Sequence, residues 1–495
     1  MVENNILIGI TFALYLLLML GIGLYAYRRT SDLSDYILGG RSLGPWTSAI
    51  SAGASDMSGW LLLGLPGAAY VSGLSAAWIG IGLLAGTWLN WLITARRLRI
   101  YSFIANDSLT LPEFFEHRFE DHSHLLRVIS AVFILLFFLF YTSSGLVAGG
   151  KLFNTVFGLD YTVAVTVGTI AIISYTFFGG FLAVSWTDLI QGLMMAAALL
   201  IVPVIALFDM GGVGVAASRI TAENPQLLEW FRDASTGDKL TLIGIISSLA
   251  WGLGYFGQPH ILARFAAIRS DRDIPVARRI AVIWSALGLF CAVAIGLLGL
   301  VYIPRDLGDS EKIFMIMVNA IFHPVIAGVL LAAILAAVMS TADSQLLVSS
   351  SALADDFYKA IFRKNASQKE LVWVGRLSVV GIAIIAYLFA LNPNSSVLDL
   401  VSYAWAGFGA AFGPALVMAL FWRRMNRWGA LAGIVVGGVT VVVWAQLSGG
   451  LFDLYEIVPG VVFSYISIWV VSLLTGEPSA QVQQHFDEVG KQQQG

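Results

Sequence analysis

The chain has 495 residues, of which 58% are hydrophobic and only 12% charged, with a net charge of −3 and a mean hydropathy of +0.81. That composition excludes a soluble globular protein and points to a polytopic membrane protein forming one transmembrane domain. The basic residues lie in short clusters between apolar runs and form no stripe, which argues against a nucleic-acid surface.

Apolar windows in chain order predict helices near 5–27, 45–71, 74–95, 125–150, 161–178, 186–208, 240–266, 276–303, 322–355, 372–391, 396–421, 428–447 and 455–475. The first has an acidic rather than basic start and no small-residue cleavage site, so it is expected to remain as a helix and not to be a signal peptide. Thirteen spans put the termini on opposite sides. Of the 28 Lys and Arg, only Lys151, Arg219, Arg232, Lys239, Arg305 and Lys312 fall off the alternate connections that carry the rest. By the positive-inside rule the N-terminus is expected outside and the C-terminus in the cytoplasm. The polar stretch 476–495 reads as a disordered cytoplasmic tail.

Within the second window, Ser55-Asp56-Met57-Ser58-Gly59 interrupts the apolar run with a carboxylate. A charged side chain at mid-bilayer costs roughly 2.5–3.5 kcal/mol on insertion scales, so Asp56 is expected to face a cavity, a partner or an ion path. The seventh window is interrupted too, by Gly252, Gly254, Gly257 and Pro259 in WGLGYFGQP. The starts of the two broken helices are five helices apart, as if 45–208 and 240–421 were copies of one unit in opposite orientation. Paired breaks of this kind point to an inverted-repeat secondary transporter with a midplane site. The bland alternative is that Gly and Pro are simply common in membrane helices.

Unwound carbonyls at such a break can coordinate a cation, and half-helix N-termini favour an anion, a combination that suits an amino-acid zwitterion with sodium. Ser340 and Thr341, midway along the ninth window, are hard oxygen ligands that could complete a shell begun by the carbonyls of Ala54 and Met57. Membrane hydroxyls also commonly bond back to their own helix. Elsewhere, Gly145 to Lys151 imitates the start of a phosphate-binding loop, but Leu152 replaces the required Ser or Thr and the stretch ends an apolar helix. It reads as helix packing, which leaves no basis for direct ATP-driven pumping. No catalytic triad, HExxH or metal-spaced His cluster occurs, so no enzyme activity is expected. Cys291 is single, excludes an internal disulfide and reads as apolar filler.

Seven longer stretches carry a specific resemblance: LGGRSLG at 38–44, SAGASDMSGW at 51–60, GGFLAVSWTD at 179–188, WGLGYFGQPHILARF at 251–265, AAILAAVMST at 332–341, SQKELVWVGR at 367–376 and VSYAWAGFGAAFGP at 401–414. With them the chain resembles the sodium/solute symporter family, in its proline-transporting branch, nearly end to end. The resemblance implies a LeuT-type core of ten helices, the second to the eleventh. It also implies a sodium site from the backbone of Ala54, Met57 and Ala337 with the hydroxyls of Ser340 and Thr341. Asp56 would support tight coupling without necessarily touching the ion.

L-Proline would lie beside that site, against Tyr141, Trp251 and Tyr255, with Ser55, Ser58 and Gly59 lining the broken helix. These residues suit the chemistry, because proline offers an apolar ring, a carboxylate and an ammonium that need aromatic walls and a few polar groups. Packing against lipid is the competing account of the aromatic residues. Gln258 is expected at the substrate site and, with Pro259, to maintain the break. His260 reads as a packing residue.

Arg41 and Asp188, near cytoplasmic helix ends, become candidates for coupling or gating under the same resemblance. Asp343, two residues beyond Thr341, is a third candidate on separate grounds, because it is a carboxylate where the proline-transporting branch often has an uncharged residue. Asp188 and Asp343 are intramembrane carboxylates with no evident basic partner in the sequence, and with Ser344 they could form a second cation site. The expected function is therefore sodium-coupled import of L-proline across a bacterial cytoplasmic membrane by alternating access, with Na+ the sole cofactor and no obligate protein partner. The runners-up are a symporter of another small solute and a membrane sensor that binds a solute without moving it.

Overall fold

The computed structural model describes residues 5–28, 37, 39–177, 181–303 and 307–494. Arg29 and Arg305 of the charge pattern, and Leu38, Gly179 and Gly180 of the motifs, lie outside them. Among the described residues the chain is helical throughout; the only β pairing is two isolated bridges, Leu43 with Ile268 and Arg232 with Lys239.

The helices run in order as α1 (Asn5–Tyr27), α2 (Pro45–Asp56), α3 (Leu65–Ser72), α4 (Ala77–Leu89), α5 (Ala95–Ile104), α6 (Leu111–Arg118), α7 (Leu125–Phe157), α8 (Tyr161–Thr176), α9 (Phe181–Met210) and α10 (Val213–Glu223). They continue as α11 (Leu242–Leu249), α12 (Pro259–Ala267), α13 (Ile274–Tyr302), α14 (Ile313–Ile321), α15 (Pro324–Ser351), α16 (Gln368–Ala390), α17 (Val397–Phe421), α18 (Arg427–Trp444), α19 (Ile457–Leu474) and α20 (Ala480–Gln494). Helix starts carry their expected caps: Thr110, Thr241, Ser367, Ser396 and Asn426 each accept a backbone N–H from the first turn.

Ten helical stretches among the described residues are long and apolar enough to cross a bilayer, against thirteen expected windows. The shortfall has a geometric cause. The second and third windows are joined into one stretch, Trp60–Ile104, by π and 3₁₀ turns, while Tyr161–Ser174 and Leu242–Gly257 fall short of a full span. Every expected window nonetheless contains helix.

Both interruptions are present. In the first, α2 ends at Asp56, Met57 leaves helical geometry with φ −81° and ψ 76°, and the chain re-enters a helical path through a π turn at Trp60–Gly64. In the second, α11 tightens into a 3₁₀ segment at Ala250–Gly257, Gln258 turns extended, and Pro259 starts α12 with its φ already set. Glycine is required here by proximity. A Cβ on Gly252 would lie 2.2 Å from the carbonyl oxygen of Gly82, and one on Gly257 would lie 2.1 Å from that of Phe408.

The centre of the bundle is α15, buried along nearly its whole length and packed on α1, α2, α7, α9 and α16. Large apolar side chains such as Phe208 and Phe290 lie exposed on the outer helices, the arrangement a lipid solvent favours. The C-terminal segment is not disordered, contrary to expectation. It forms α20, which docks on α5 by burying Val482 and Val489, with Phe486 against Arg97. A spacing of i, i+4, i+7 gives this polar segment one narrow apolar edge.

Candidate functional site

The first break is held by donors from two other helices and from its own π turn. Tyr141 on α7 donates its hydroxyl to the carbonyl of Asp56 at 2.9 Å, and the Trp60 indole donates to the same oxygen at 3.0 Å. Ser340 and Thr341 on α15 donate to the carbonyl of Ala54 at 2.8 and 3.2 Å, and Ser340 also lies 3.1 Å from the carbonyl of Ala337. Two carbonyls and two hydroxyls thus converge where α2 meets α15, all buried. Turning the two hydroxyl protons outward would present four hard oxygens to one cation, so the residues fit an alkali ion. Met57 follows directly, fully buried, with its N–H bonded to Gly53.

Asp56 points the other way. Its Oδ2 accepts the Tyr255 hydroxyl at 2.6 Å, which ties the carboxylate of the first break to the 3₁₀ segment of the second. Around that tie the aromatic residues close ranks: Trp251 faces Trp60 and Tyr455, and Tyr255 meets Trp405 edge to face with centroids 4.9 Å apart. The expected walls Tyr141, Trp251 and Tyr255 are buried beside Asp56, not facing lipid.

The small residues of the motif have local partners. Ser55 bonds back to the carbonyl of Ala52 at 3.1 Å, Ser58 accepts weakly from the Trp60 N–H at 3.4 Å, and Gly59 lets α7 come within contact at Ala148. Gln258 donates to the carbonyls of Gly254 and Trp405, fastening the second break to α17. His260 packs edge to face against Phe138 and Tyr141, its ring nitrogens without hydrogen-bond partners.

The expectation that Asp188 lacks a basic partner is corrected. Arg264, which the sequence pattern had counted with the topology-setting basic residues, is fully buried on α12 and pairs with Asp188 at 3.0 Å. Its guanidinium also donates to Ser51, Ser344 and the carbonyl of His260, while Ser51 donates to Asp188 at 2.7 Å. A fixed cation therefore stands where a second mobile one was expected, and the premise of a site shared by Asp188, Asp343 and Ser344 is lost. Asp343 is buried beside Ser344, whose hydroxyl lies 3.5 Å from its Oδ1.

Arg41 lies apart from the breaks. It adopts φ 53°, uncommon outside glycine, and donates to Asp107 at 2.8 Å, Ser102 at 3.2 Å, and the carbonyls of Ala266 and Ser108 at 2.6 and 2.8 Å. Burial pulls its guanidinium below the usual range, partly offset by Asp107. Together with the Leu43–Ala267 and Arg269–Leu43 backbone bonds, it fastens the segment before α2 to the end of α12. Residues around the breaks that sequence reasoning missed are Ser51, Arg264 and Trp405, with Asn90, whose amide donates to the Tyr255 carbonyl at 3.0 Å, and Thr87 buried beside it. The polar residues and the arginine within apolar runs were the available signal; nothing local marks Trp405.

A model of the sodium:solute symporter family matches residues 36–437. The high-affinity proline transporter PutP of Bacillus subtilis is 52% identical over 474 residues, covering 95% of this chain and 98% of the relative. The sodium/proline symporter of Escherichia coli K12 is 52% identical over 486 residues, covering 97% and 95%. Among solved structures, a Na+-coupled sialic acid symporter in a substrate-bound outward-open state superposes with a TM-score of 0.78 at 22% identity, covering 96% of this chain and 99% of that one. The nucleobase-cation-symport-1 family transporter Mhp1 follows with a TM-score of 0.55 at 14% identity, covering 93% and 99%. These two neighbours share the LeuT-type all-helical fold seen here, and the sequence relatives are transporters. The chain belongs to the sodium:solute symporter family.

Proposed function

We propose that this protein imports L-proline together with Na+ across a bacterial cytoplasmic membrane by alternating access, with its N-terminus outside and its C-terminus in the cytoplasm. The observation that carries the sodium part is the convergence of the Ala54 and Ala337 carbonyls with the Ser340 and Thr341 hydroxyls at the first helix break. The proline part is supported by relatives about half identical over nearly the whole chain whose names specify proline. Tyr141, Trp251 and Tyr255 would wall the solute ring, with Ser55, Ser58, Gly59 and Gln258 around it. Residues 45–208 and 240–421 would be the two inverted repeats of a single transport domain spanning 1–475.

Sodium bound between α2 and α15 would hold the first break in the shape that the solute needs, so each ligand raises the affinity of the other by the same factor. Inward movement of one positive charge gains about 2.3 kcal/mol per 100 mV, enough to accumulate solute uphill. Asp56 would couple the two events, because its backbone carbonyl is held by Tyr141 and Trp60 and its side chain by Tyr255. Arg41, Asp188 and Asp343 would act in gating on the side where the chain segments before α2 and after α12 are fastened together.

The test is uptake of labelled proline by proteoliposomes with and without an inward Na+ gradient, competed by a panel of small solutes. Uptake that depends on the gradient and is competed best by proline is expected. Uptake indifferent to Na+ would overturn the coupling, and stronger competition by another solute would replace the substrate.

A further inference from the structure

The Tyr255 contact uses only one oxygen of the Asp56 carboxylate. Its Oδ1 is buried without a hydrogen-bond partner, and so are Oγ1 of Thr87 and Oδ1 of Asn90, both on the α4 stretch. All three residues line one small cavity of about 10 Å³, together with Tyr255 and Ser285. The Asn90 amide is oriented by its Nδ2, which donates to the carbonyl of Tyr255 at 3.0 Å, so its oxygen is the atom left for an occupant. Asn90 also opens a π turn, Asn90–Thr94, an irregularity found frequently at functional sites.

Three unpartnered buried oxygens around a space of this size require an occupant that donates or is positive. One water fits by volume, since such a space holds about one. Water leaves the charge unanswered, however: no Lys, Arg or His among the described residues forms an ion pair with Asp56, whereas Asp188, equally buried, has Arg264. An isolated buried carboxylate is costly, and a cation held by one carboxylate, one amide oxygen and one hydroxyl removes that cost with hard ligands suited to alkali ions. The oxygen cluster at Ala54 faces α15, while this cavity opens between α2, α4 and the second break. They are two separate places on one interrupted helix.

We propose that the Asp56–Thr87–Asn90 cavity is a second binding site for a small dehydrated monovalent cation, of the size of Na+ or Li+ rather than K+. The site goes beyond the sodium-and-proline reading and does not depend on which solute is carried. Its position explains why the carboxylate of the first break is tied to the Tyr255 hydroxyl of the second, whose carbonyl Asn90 holds. A cation here bridges α2 to α4 and, through Tyr255, to the 3₁₀ segment, so its arrival would draw the two breaks together.

Equilibrium binding of ²²Na+ to the purified full-length protein in nanodiscs, without solute, tests this. Thr87→Val removes the hydroxyl at nearly constant volume, and Thr87→Ser keeps it. The wild type is expected to bind two ions per chain. Thr87→Val should weaken one of them by about tenfold or more, Thr87→Ser should restore it, and Ser340→Ala should weaken the other, with the double variant losing both. If Thr87→Val matches the wild type in stoichiometry and affinity, the cavity holds water and the proposal is overturned. A single wild-type ion lost in Ser340→Ala alone overturns it equally. If Ser340→Ala is silent while Thr87→Val weakens binding and Thr87→Ser restores it, this site stands and the Ala54 cluster fails as the sodium site.

Discussion

The two helix breaks solve the same problem with opposite materials. Opening a helix inside a membrane strands backbone polar groups that lipid cannot satisfy. The first break answers mainly with polar side chains brought from other helices: Tyr141, Ser340 and Thr341 donate to its carbonyls, joined by Trp60 from its own π turn. The second is built of glycines, and its carbonyls are met by the Trp405 indole, the Asn90 amide and Gln258. The first therefore gathers oxygens that a cation could use, while the second gathers backbone so closely that side chains are excluded. The difference teaches that an interrupted helix can be made either for coordination or for proximity, and that the Tyr255–Asp56 bond joins one kind to the other.

Substitutions that separate the two roles should show it, and the largest effect is expected in the glycine break. Gly257→Val places atoms where the Phe408 carbonyl already lies, so backbone must move. Loss of most folded protein, read by fluorescence size-exclusion chromatography in detergent, is expected; a stable, monodisperse variant would show that the close approach is not required. Next comes Arg264→Gln, which leaves Asp188 buried without its cation. Breaking such a pair costs about 3–5 kcal/mol, and adding Asp188→Asn should recover much of the lost thermal stability. No recovery would mean that the pair is not coupled.

In the first break, Asp56→Asn keeps the shape and removes the charge. It is expected to leave the protein folded and to raise the Na+ concentration for half-maximal uptake about tenfold or more, which is about 1.4 kcal/mol or more. Trp251→Ala should instead raise the half-saturating proline concentration with a smaller change in Na+ dependence, and the reverse pattern would refute the division of labour. Smallest of all, Arg423→Ala breaks an exposed, solvent-screened pair with Asp487, far from both breaks, and should leave the thermal melt essentially unchanged.

Much of this was legible in the chain. Asp56 with its neighbours marked the first interruption, and the glycines with Pro259 marked the second, at the residues where they occur. The helix count was less legible, because π and 3₁₀ turns fuse two windows into one continuous stretch and hydropathy does not register them. Arg264 was misassigned for a related reason: it ends an apolar run next to true loop residues, and only packing against Asp188, 76 positions away, distinguishes a buried ion pair from a topology signal. The C-terminal helix was missed because three apolar residues make too narrow a stripe to read without the surface it covers.

The sequence alone determined that the chain is a membrane-embedded helical bundle, where its helices are interrupted, and, through long motifs, which family it resembles. Those are properties of composition and of local backbone preference, which need no knowledge of neighbours. Only the tertiary structure decided which groups meet at the interruptions: that Ser340 and Thr341 reach the Ala54 carbonyl across α15, that Arg264 answers Asp188, and that Asp56 shares a cavity with Thr87 and Asn90. Contacts between residues far apart in sequence are set by packing of whole helices, and no periodicity in the chain carries that information.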